Sequence, residues 1–362
     1  MKLAITAGGT GGHIYPALSV LEALRQRHGQ GLEARFFGPE DRGERRLVES
    51  ARISFVPVPS AAVRGRGPLG LARSAVRLLR GTATAWRRLR TFKPDVVFST
   101  GGYASFPASV AARLQRRPLV VYLPDVTPGW AVRAEARLAT RLATTADAAL
   151  DHLPRKKTVV TGYPVRPEFF RETKATAREL LGLPATGRVL LVAGASQGAR
   201  AINRAVFEAL PRLCAAATVV HVTGSANEAE AMHIRESLGD AASRYQPAAF
   251  REDLPLVMLA ADLAVMRAGA SVLGELPAAG LPAVLVPGTY AGGHQHDNAR
   301  WLADAGAAVI LEEARIAALA ETVLGLLGDD ARLVEMQGAA RALAKPLAAT
   351  AIAELVEEVA RR

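Results

Sequence analysis

Cysteine is almost absent: one residue, Cys214, in a chain of 362. That excludes an internal disulfide framework and any Cys-rich zinc site, and it fits a reducing compartment, with the cytosol as the expectation. Aromatic residues make up only 5% of the chain. The basic segment described below carries no interleaved aromatics beyond Trp86 and Phe92, which argues against nucleic acid as a partner. No Asp-x-Asp pair occurs to hold a divalent ion against a nucleotide diphosphate. Long apolar runs are also missing. The stretch from Leu276 to Gly293 is uncharged but is broken by Pro277, Pro282, Pro287 and four glycines, so no segment reads as a transmembrane helix. Met1–Thr6 is too short an apolar run for a signal peptide.

What is present is a globular chain with 50% hydrophobic and 22% charged residues, long enough for two domains. Short apolar, β-branched runs recur, among them Leu3–Thr6, Val96–Ser99, Leu119–Tyr122, Thr158–Val160, Val189–Val192, Thr218–Val222, Leu263–Val265, Ala283–Val286 and Ala308–Leu311. Helical patterns separate them. Runs apolar on both faces predict buried parallel strands, and the alternation predicts an α/β fold of two Rossmann-like, doubly wound parallel-sheet domains facing across a cleft. The boundary is expected near Thr161-Gly162-Tyr163-Pro164. The first domain then covers 1–162 and the second 163–344, with a C-terminal helix at about 345–362 packing back on the first.

Each half opens with strand, glycine loop and helix. Ala7-Gly8-Gly9-Thr10-Gly11-Gly12-His13 lies between the first strand and a helix marked by Ile14, Ala17, Leu18, Leu21 and Leu24, with Pro16 expected in its first turn. Glycines let backbone approach a ligand, and helix N–H groups favour an anion. The loop lacks the Lys-Ser/Thr of a P-loop, and Ile14 stands where a dinucleotide fingerprint needs its third glycine. His13 has two readings, a proton acceptor or a cap. A second cluster runs from Met266 to Glu275 and on to His294-Gln295-His296-Asp297-Asn298. Its small residues before a helix offer N–H groups to a phosphate, and Glu275 can accept two hydrogen bonds from a ribose diol. Spacing of two makes His294 and His296 a poor metal pair.

Six ordered motifs carry a resemblance. They are Gly8-Gly9-Thr10-Gly11-Gly12-His13 with Pro16-Ala17-Leu18; Thr100-Gly101-Gly102-Tyr103-Ala104-Ser105-Phe106-Pro107; Gly162 with Pro164-Val165-Arg166; Ser196-Gln197-Gly198-Ala199 with Asn203; Arg267-Ala268-Gly269-Ala270 with Glu275; and Gln295 with Asn298-Ala299. Together they resemble the MurG family of GT-B glycosyltransferases. The resemblance implies metal-independent, inverting transfer of N-acetylglucosamine from UDP-N-acetylglucosamine to the muramoyl 4-hydroxyl of undecaprenyl-diphospho-muramoyl-pentapeptide, converting lipid I to lipid II in peptidoglycan synthesis. It implies no cofactor, a donor site in the second half and an acceptor site in the first. His13 is the implied general base. Implied donor residues are Thr10, Gly11, Gly12, Arg166, Ser196, Gln197, Arg251, Ala270, Ser271, Val272, Leu273, Gly274, Glu275, His294 and Gln295. Implied acceptor residues are Gly9, Tyr103, Ser105 and Asn298. The chain departs from the family at Leu123-Pro124-Asp125-Val126, where His-Glu-Gln-Asn is common, so that Val126 replaces an expected asparagine. It departs again at Tyr163, Ala195 and His294. A transferase for another glycolipid or small-molecule acceptor, and a non-catalytic sugar-nucleotide binding protein, remain alternatives.

The formal charge of +11 is concentrated in one place: Arg64 to Lys93 holds nine Arg or Lys and no acid. There Leu71, Leu78, Leu79 and Trp86 recur at helical spacing beside Arg77, Arg80 and Arg87. This pattern predicts a helix or helix pair lying on an anionic membrane, at the cytoplasmic face and peripheral, although Gly81 weakens a continuous helix.

Overall fold

In the computed structural model, which describes residues 1–8, 11–40, 44–62, 67–194, 199–288 and 293–361, helices and strands alternate along the chain. The chain divides into two units, Met1–Val165 with Leu347–Arg362, and Arg166–Pro346. The division falls at Val165, so Tyr163, expected in the second domain, belongs to the first unit.

In the first unit the order is β1 (Lys2–Thr6), α1 (Gly11–His28), β2 (Glu33–Gly38), α2 (Glu44–Ser50), β3 (Ser54–Pro57), α3 (Pro68–Phe92), β4 (Val96–Ser99), α4 (Phe106–Leu114), β5 (Leu119–Leu123), α5 (Trp130–Leu138), β6 (Arg141–Thr144) and β7 (Thr158–Val160). The second unit has α6 (Glu168–Arg171), α7 (Lys174–Leu180), β8 (Val189–Ala193), α8 (Arg200–Ala216), β9 (Thr218–Val222), α9 (Glu228–Ser237), β10 (Tyr245–Ala248), α10 (Leu254–Ala260), β11 (Leu263–Met266), α11 (Val272–Ala279), β12 (Ala283–Leu285), α12 (His294–Asp304), β13 (Ala308–Ile310), α13 (Leu319–Leu327) and α14 (Asp330–Ala342). The last helix, α15 (Ala348–Ala360), returns to the first unit.

Among the described residues each unit has one sheet, ordered β3-β2-β1-β4-β5-β6-β7 and β10-β9-β8-β11-β12-β13. Every pairing is parallel. Both orders reverse direction once, between β1 and β4 and between β8 and β11. Ligands of doubly wound sheets bind beyond the carboxyl ends of the strands at such a switch point, so four loops become the places to look. They follow β1, β4, β8 and β11.

The central strands β4, β5, β8 and β11 are wholly buried, which is why their apolar runs stand out in the sequence. Four strands do not: β2, β3, β6 and β10. Of these, β3 and β10 are sheet edges, and β10 contains Pro247, whose missing N–H an edge tolerates.

Helix α3 is one continuous helix of 25 residues, not a broken pair. Gly81 is needed there for close approach, because a Cβ at this position would lie 1.9 Å from the Pro59 carbonyl oxygen. Helix α15 packs on α1 and buries Ile352, Val356 and Val359. A polar clamp completes the contact. Arg27 donates from Nε to Glu357 Oε1 at 2.8 Å and from Nη2 to Oε2 at 3.1 Å, and His28 Nε2 lies 3.0 Å from Oε1. These partners, the Arg27 hydrogen bond first, hold the Glu357 carboxyl below the ordinary value of 4.5. A depressed carboxyl stabilises the fold above its unfolded value and loses that contribution as pH falls through the folded one. Glu357→Gln should therefore lower the melting temperature at pH 7, and the difference from wild type should shrink as pH falls below the ordinary carboxylate range.

Candidate active site

In the first unit the loops after β1 and β4 meet at the switch point. His13, in the first turn of α1, places Nδ1 2.8 Å from the Thr100 carbonyl oxygen. A carbonyl only accepts, so Nδ1 carries the hydrogen and the neutral ring keeps its lone pair on Nε2. Thr100 grips the same residue a second time, its hydroxyl donating to the His13 carbonyl at 2.8 Å. The ring packs on glycine: a Cβ on Gly8 would lie 2.9 Å from His13 Cδ2, and one on Gly102 would lie 2.7 Å from the Gly8 Cα. Gly101 and Gly102 also have φ of +79° and +96°, a region that favours glycine.

Pro16 lies six residues into α1 rather than in its first turn, because the helix begins at Gly11. Proline has no N–H for the carbonyl four residues earlier, that of Gly12. The Tyr163 hydroxyl donates to it instead, at 3.1 Å. The Tyr163 departure thus satisfies a carbonyl that this helix leaves without its usual partner.

Behind the β4 loop lies a fully buried carboxyl, Glu135 of α5. Ser99 Oγ is 2.8 Å from its Oε2 and accepts from the Gly101 N–H at 3.1 Å. Ser105 Oγ is 2.6 Å from its Oε1 and 2.7 Å from the Gly102 carbonyl oxygen. Ser105 is itself fully buried, so its side chain shapes the turn from inside instead of lining an acceptor surface as expected. Tyr103 is half-buried. Val126 is buried in the core, while Asp125 beside it stays partly exposed, so the turn after β5 does present a polar side chain.

In the second unit Glu275 sits in the first turn of α11, nearly buried, with Arg166 Nη2 3.9 Å from its Oε1. Burial raises its pKa above the ordinary carboxylate value, opposed by the Arg166 charge and a Ser271 hydrogen bond. Arg166 also donates from Nη1 to the Glu252 carbonyl at 3.1 Å. Ala270 and Ser271 are partly exposed. Val272, Leu273 and Gly274 are buried, and their N–H groups donate to the carbonyls of Gly269, Ala270 and Ser271, so they close the helix turn rather than facing a ligand.

Other expected residues have structural partners. Arg251 forks onto Asp253, with Nε 2.8 Å from Oδ1 and Nη2 2.6 Å from Oδ2. Asn298, expected at the acceptor, is fully buried in the second unit and donates to the Ala268 carbonyl at 3.1 Å. It holds the turn before α11. Gln295 accepts from the Gly288 N–H at 2.8 Å, and His294 is partly exposed at the start of α12. Gly9, Thr10, Ser196 and Gln197 lie outside the described residues, and Gly11 and Gly12 begin α1. Among the described residues no group of three or more His, Cys, Asp and Glu is arranged to hold a metal ion.

One network escaped the sequence. His221 of β9 lies with Nδ1 3.0 Å from the Tyr245 hydroxyl and Nε2 3.1 Å from Asn203 Oδ1, while Asn203 Nδ2 donates to the Thr223 carbonyl at 2.8 Å. Burial drives the His221 ring down to about 3. This neutral imidazole ties the first turn of α8, just after the second glycine loop, to the ends of β9 and β10. In the sequence only Asn203, beside the Ser196–Ala199 motif, hinted at it.

Known proteins match this geometry along the chain. Residues 3–144 match the glycosyltransferase family 28 N-terminal domain, and residues 189–355 its C-terminal domain. A relative from Roseiflexus sp. (strain RS-1), named UDP-N-acetylglucosamine--N-acetylmuramyl-(pentapeptide) pyrophosphoryl-undecaprenol N-acetylglucosamine transferase, is 37% identical over 100% of this chain and 96% of its own length. One of the same name from Symbiobacterium thermophilum is 37% identical over 100% of this chain and 97% of its own. The crystal structure of Acinetobacter baumannii MurG superposes with a TM-score of 0.75 at 27% identity, covering 99% of both chains.

The chain belongs to the MurG family.

A UDP-N-acetylglucosamine 2-epimerase from Neisseria meningitidis, bound to UDP-N-acetylglucosamine, shares 16% identity at a TM-score of 0.67, a likeness of fold alone. In this MurG-family chain the glycine contact behind His13 leaves no room for a Cβ. Gly102→Ala, with its positive φ and a Cβ driven against Gly8, should reduce turnover by about tenfold or more. Circular dichroism melting would show whether the fold survives, and a fully active, normally melting variant would show that the turn does not set the His13 position.

Proposed function

We propose that this chain transfers N-acetylglucosamine from UDP-N-acetylglucosamine to the muramoyl 4-hydroxyl of lipid I, with inversion at the anomeric carbon and without a metal ion. Full-length identity to transferases of that name supports the reaction. The observation that carries the chemistry is the His13 ring, fixed through Nδ1 by Thr100 with its lone pair on Nε2. As the 4-hydroxyl oxygen bonds to the anomeric carbon, Nε2 takes the hydroxyl proton. The bond from that carbon to the diphosphate oxygen breaks, and its electron pair leaves with UDP. The first unit presents the acceptor between the β1 and β4 loops. The second unit holds the donor, with Glu275 on the ribose diol and Arg166 beside the diphosphate. The N-terminal turn of α11 adds its dipole, so a helix end and one guanidinium balance the charge that a metal balances elsewhere.

His13→Ala should lower kcat by about 10² to 10⁴ while leaving UDP affinity near that of wild type. An unchanged kcat would return His13 to a structural role. In the same transfer assay EDTA should leave the wild-type rate intact, and a strict need for magnesium would contradict the metal-free reading.

The lipid acceptor places the enzyme at a surface, and α3 supplies one. Its exposed apolar residues are Leu69, Leu71, Val76 and Leu79. They stand beside Arg73, Arg77, Arg80 and Arg87, with an open groove of about 920 Å³ along the helix. The expected Trp86 and Leu78 are half-buried, and Trp86 packs against the core with Arg90 over its ring at 5.1 Å. Leu69 and Val76 take their place. Among the described residues no helix is long and apolar enough to cross a membrane. We assign α3 as a peripheral contact with anionic lipid on the cytoplasmic face, each arginine adding about 1 kcal/mol. Sedimentation with vesicles of anionic phospholipid at low salt should capture the wild type and release it at high salt. The triple change Leu69→Gln, Val76→Gln, Leu79→Gln should abolish capture, and capture undiminished in that variant would place the contact elsewhere.

A further inference from the structure

The proton count around Glu135 does not close if its carboxyl is ionised. Ser105 has one hydroxyl hydrogen and two acceptors in reach, Glu135 Oε1 at 2.6 Å and the Gly102 carbonyl at 2.7 Å. A carbonyl only accepts, so the Ser105 hydrogen belongs to Gly102 if both contacts are hydrogen bonds. The hydrogen between Ser105 and Glu135 must then come from the carboxyl. On the other side the count is complete: Gly101 N–H donates to Ser99 Oγ at 3.1 Å, and Ser99 donates to Oε2 at 2.8 Å. An ionised Glu135 would take the Ser105 hydrogen and leave the Gly102 carbonyl without it.

We infer that Glu135 is a positioning residue held as a neutral acid, donating to Ser105 so that the hydroxyls of Ser105 and Ser99 lock Gly101 and Gly102, the turn on which the His13 ring rests. Between Ser99 and Gly101 lies Thr100, whose carbonyl binds His13 Nδ1. Loss of the Glu135 proton therefore loosens the segment that aims the base. This rests on the proposed role of His13.

The surroundings agree. Burial pushes the Glu135 carboxyl up to about 7, against the opposing hydrogen bond donated by Ser99. Titratable groups on the packed elements are Arg113 on α4, Tyr122 on β5, His13 behind the turn, Lys157, whose Nζ donates to the Ala136 and Ala139 carbonyls, and Arg133 and Arg137 on α5 itself. Tyr122 is bonded to Thr145 at 2.6 Å, Arg133 to the Pro128 carbonyl at 3.1 Å, and Arg113 and Arg137 are exposed. None of them contributes to the balance at Glu135, which burial and hydroxyls set alone. The sign follows: a raised carboxyl leaves the native state holding more protons than the unfolded one between 4.5 and about 7, so stability falls across that window and levels off above it.

Glu135→Gln keeps one donor and one acceptor and carries no charge at any pH, which makes it the test. Infrared difference spectra of wild type against this variant should show a protonated carboxyl band at pH 6 that fades by pH 8.5. The melting temperature of the variant minus that of wild type should grow between about pH 5 and 7 and then stay constant. In the transfer assay wild-type kcat should fall as pH rises through about 7, while Glu135→Gln holds within about twofold and Glu135→Ala is slow throughout. Absence of the carboxyl band at pH 6, or a Gln variant as impaired as Ala, would overturn the inference. A chain that transfers no sugar would still show the band and the melting difference, which separates failure of this inference from failure of the proposed reaction.

Discussion

The contact on which the rest of the site depends is the pair of hydrogen bonds between Thr100 and His13. One strand order, 3-2-1-4, brings the loops after β1 and β4 together, but adjacency alone leaves an imidazole free to rotate. The Thr100 carbonyl fixes which nitrogen bears the hydrogen, and the Thr100 hydroxyl fixes the backbone that carries the ring. Both loops then need glycine, because the ring and the two chains approach closer than a Cβ allows. The rest of the unit serves that junction. Tyr163 satisfies the carbonyl that Pro16 leaves open, and Glu135 reaches the turn through two serines.

The two units solve one problem with different means. In the first, side chains brace a loop from behind, using hydroxyls and a buried acid. In the second, the corresponding loop after β11 is braced by Asn298 on the Ala268 carbonyl and by Arg267, which donates to the carbonyls of Val286 and Pro287 and pairs with Glu313. A buried neutral histidine, His221, does similar work for α8. Polar groups buried this deeply are costly when their partners are lost, so each such network favours one arrangement of its loop.

Much of the fold was legible because parallel strands buried on both faces leave continuous apolar runs. The strands that escaped notice were at or next to the sheet edges, where β3 and β10 are only partly buried and their sequences mix polar and apolar residues. The motifs located the site loops, and His13, Arg166 and Glu275 stand on them. Side-chain direction was not legible. Ser105 and Asn298 carry motif positions yet point inward, and Val126 is buried where Asp125 is partly exposed. On α3 the helical period was visible, but which face the core takes depends on Pro59 meeting Gly81, a contact far apart in sequence. Glu135 gave no signal at all, since an acid in a helix reads as a solvated face until the two serines are seen around it.

Nitrogen-15 NMR of the His13 ring, at a pH where it is neutral, tests the central contact most directly. The account predicts hydrogen on Nδ1 and a bare Nε2, with that preference lost when the Thr100 carbonyl is displaced by Gly102→Ala. A ring protonated on Nε2 in the wild type would contradict it, because the His13 lone pair would then lie on Nδ1, against the Thr100 carbonyl, and could not accept the acceptor's proton.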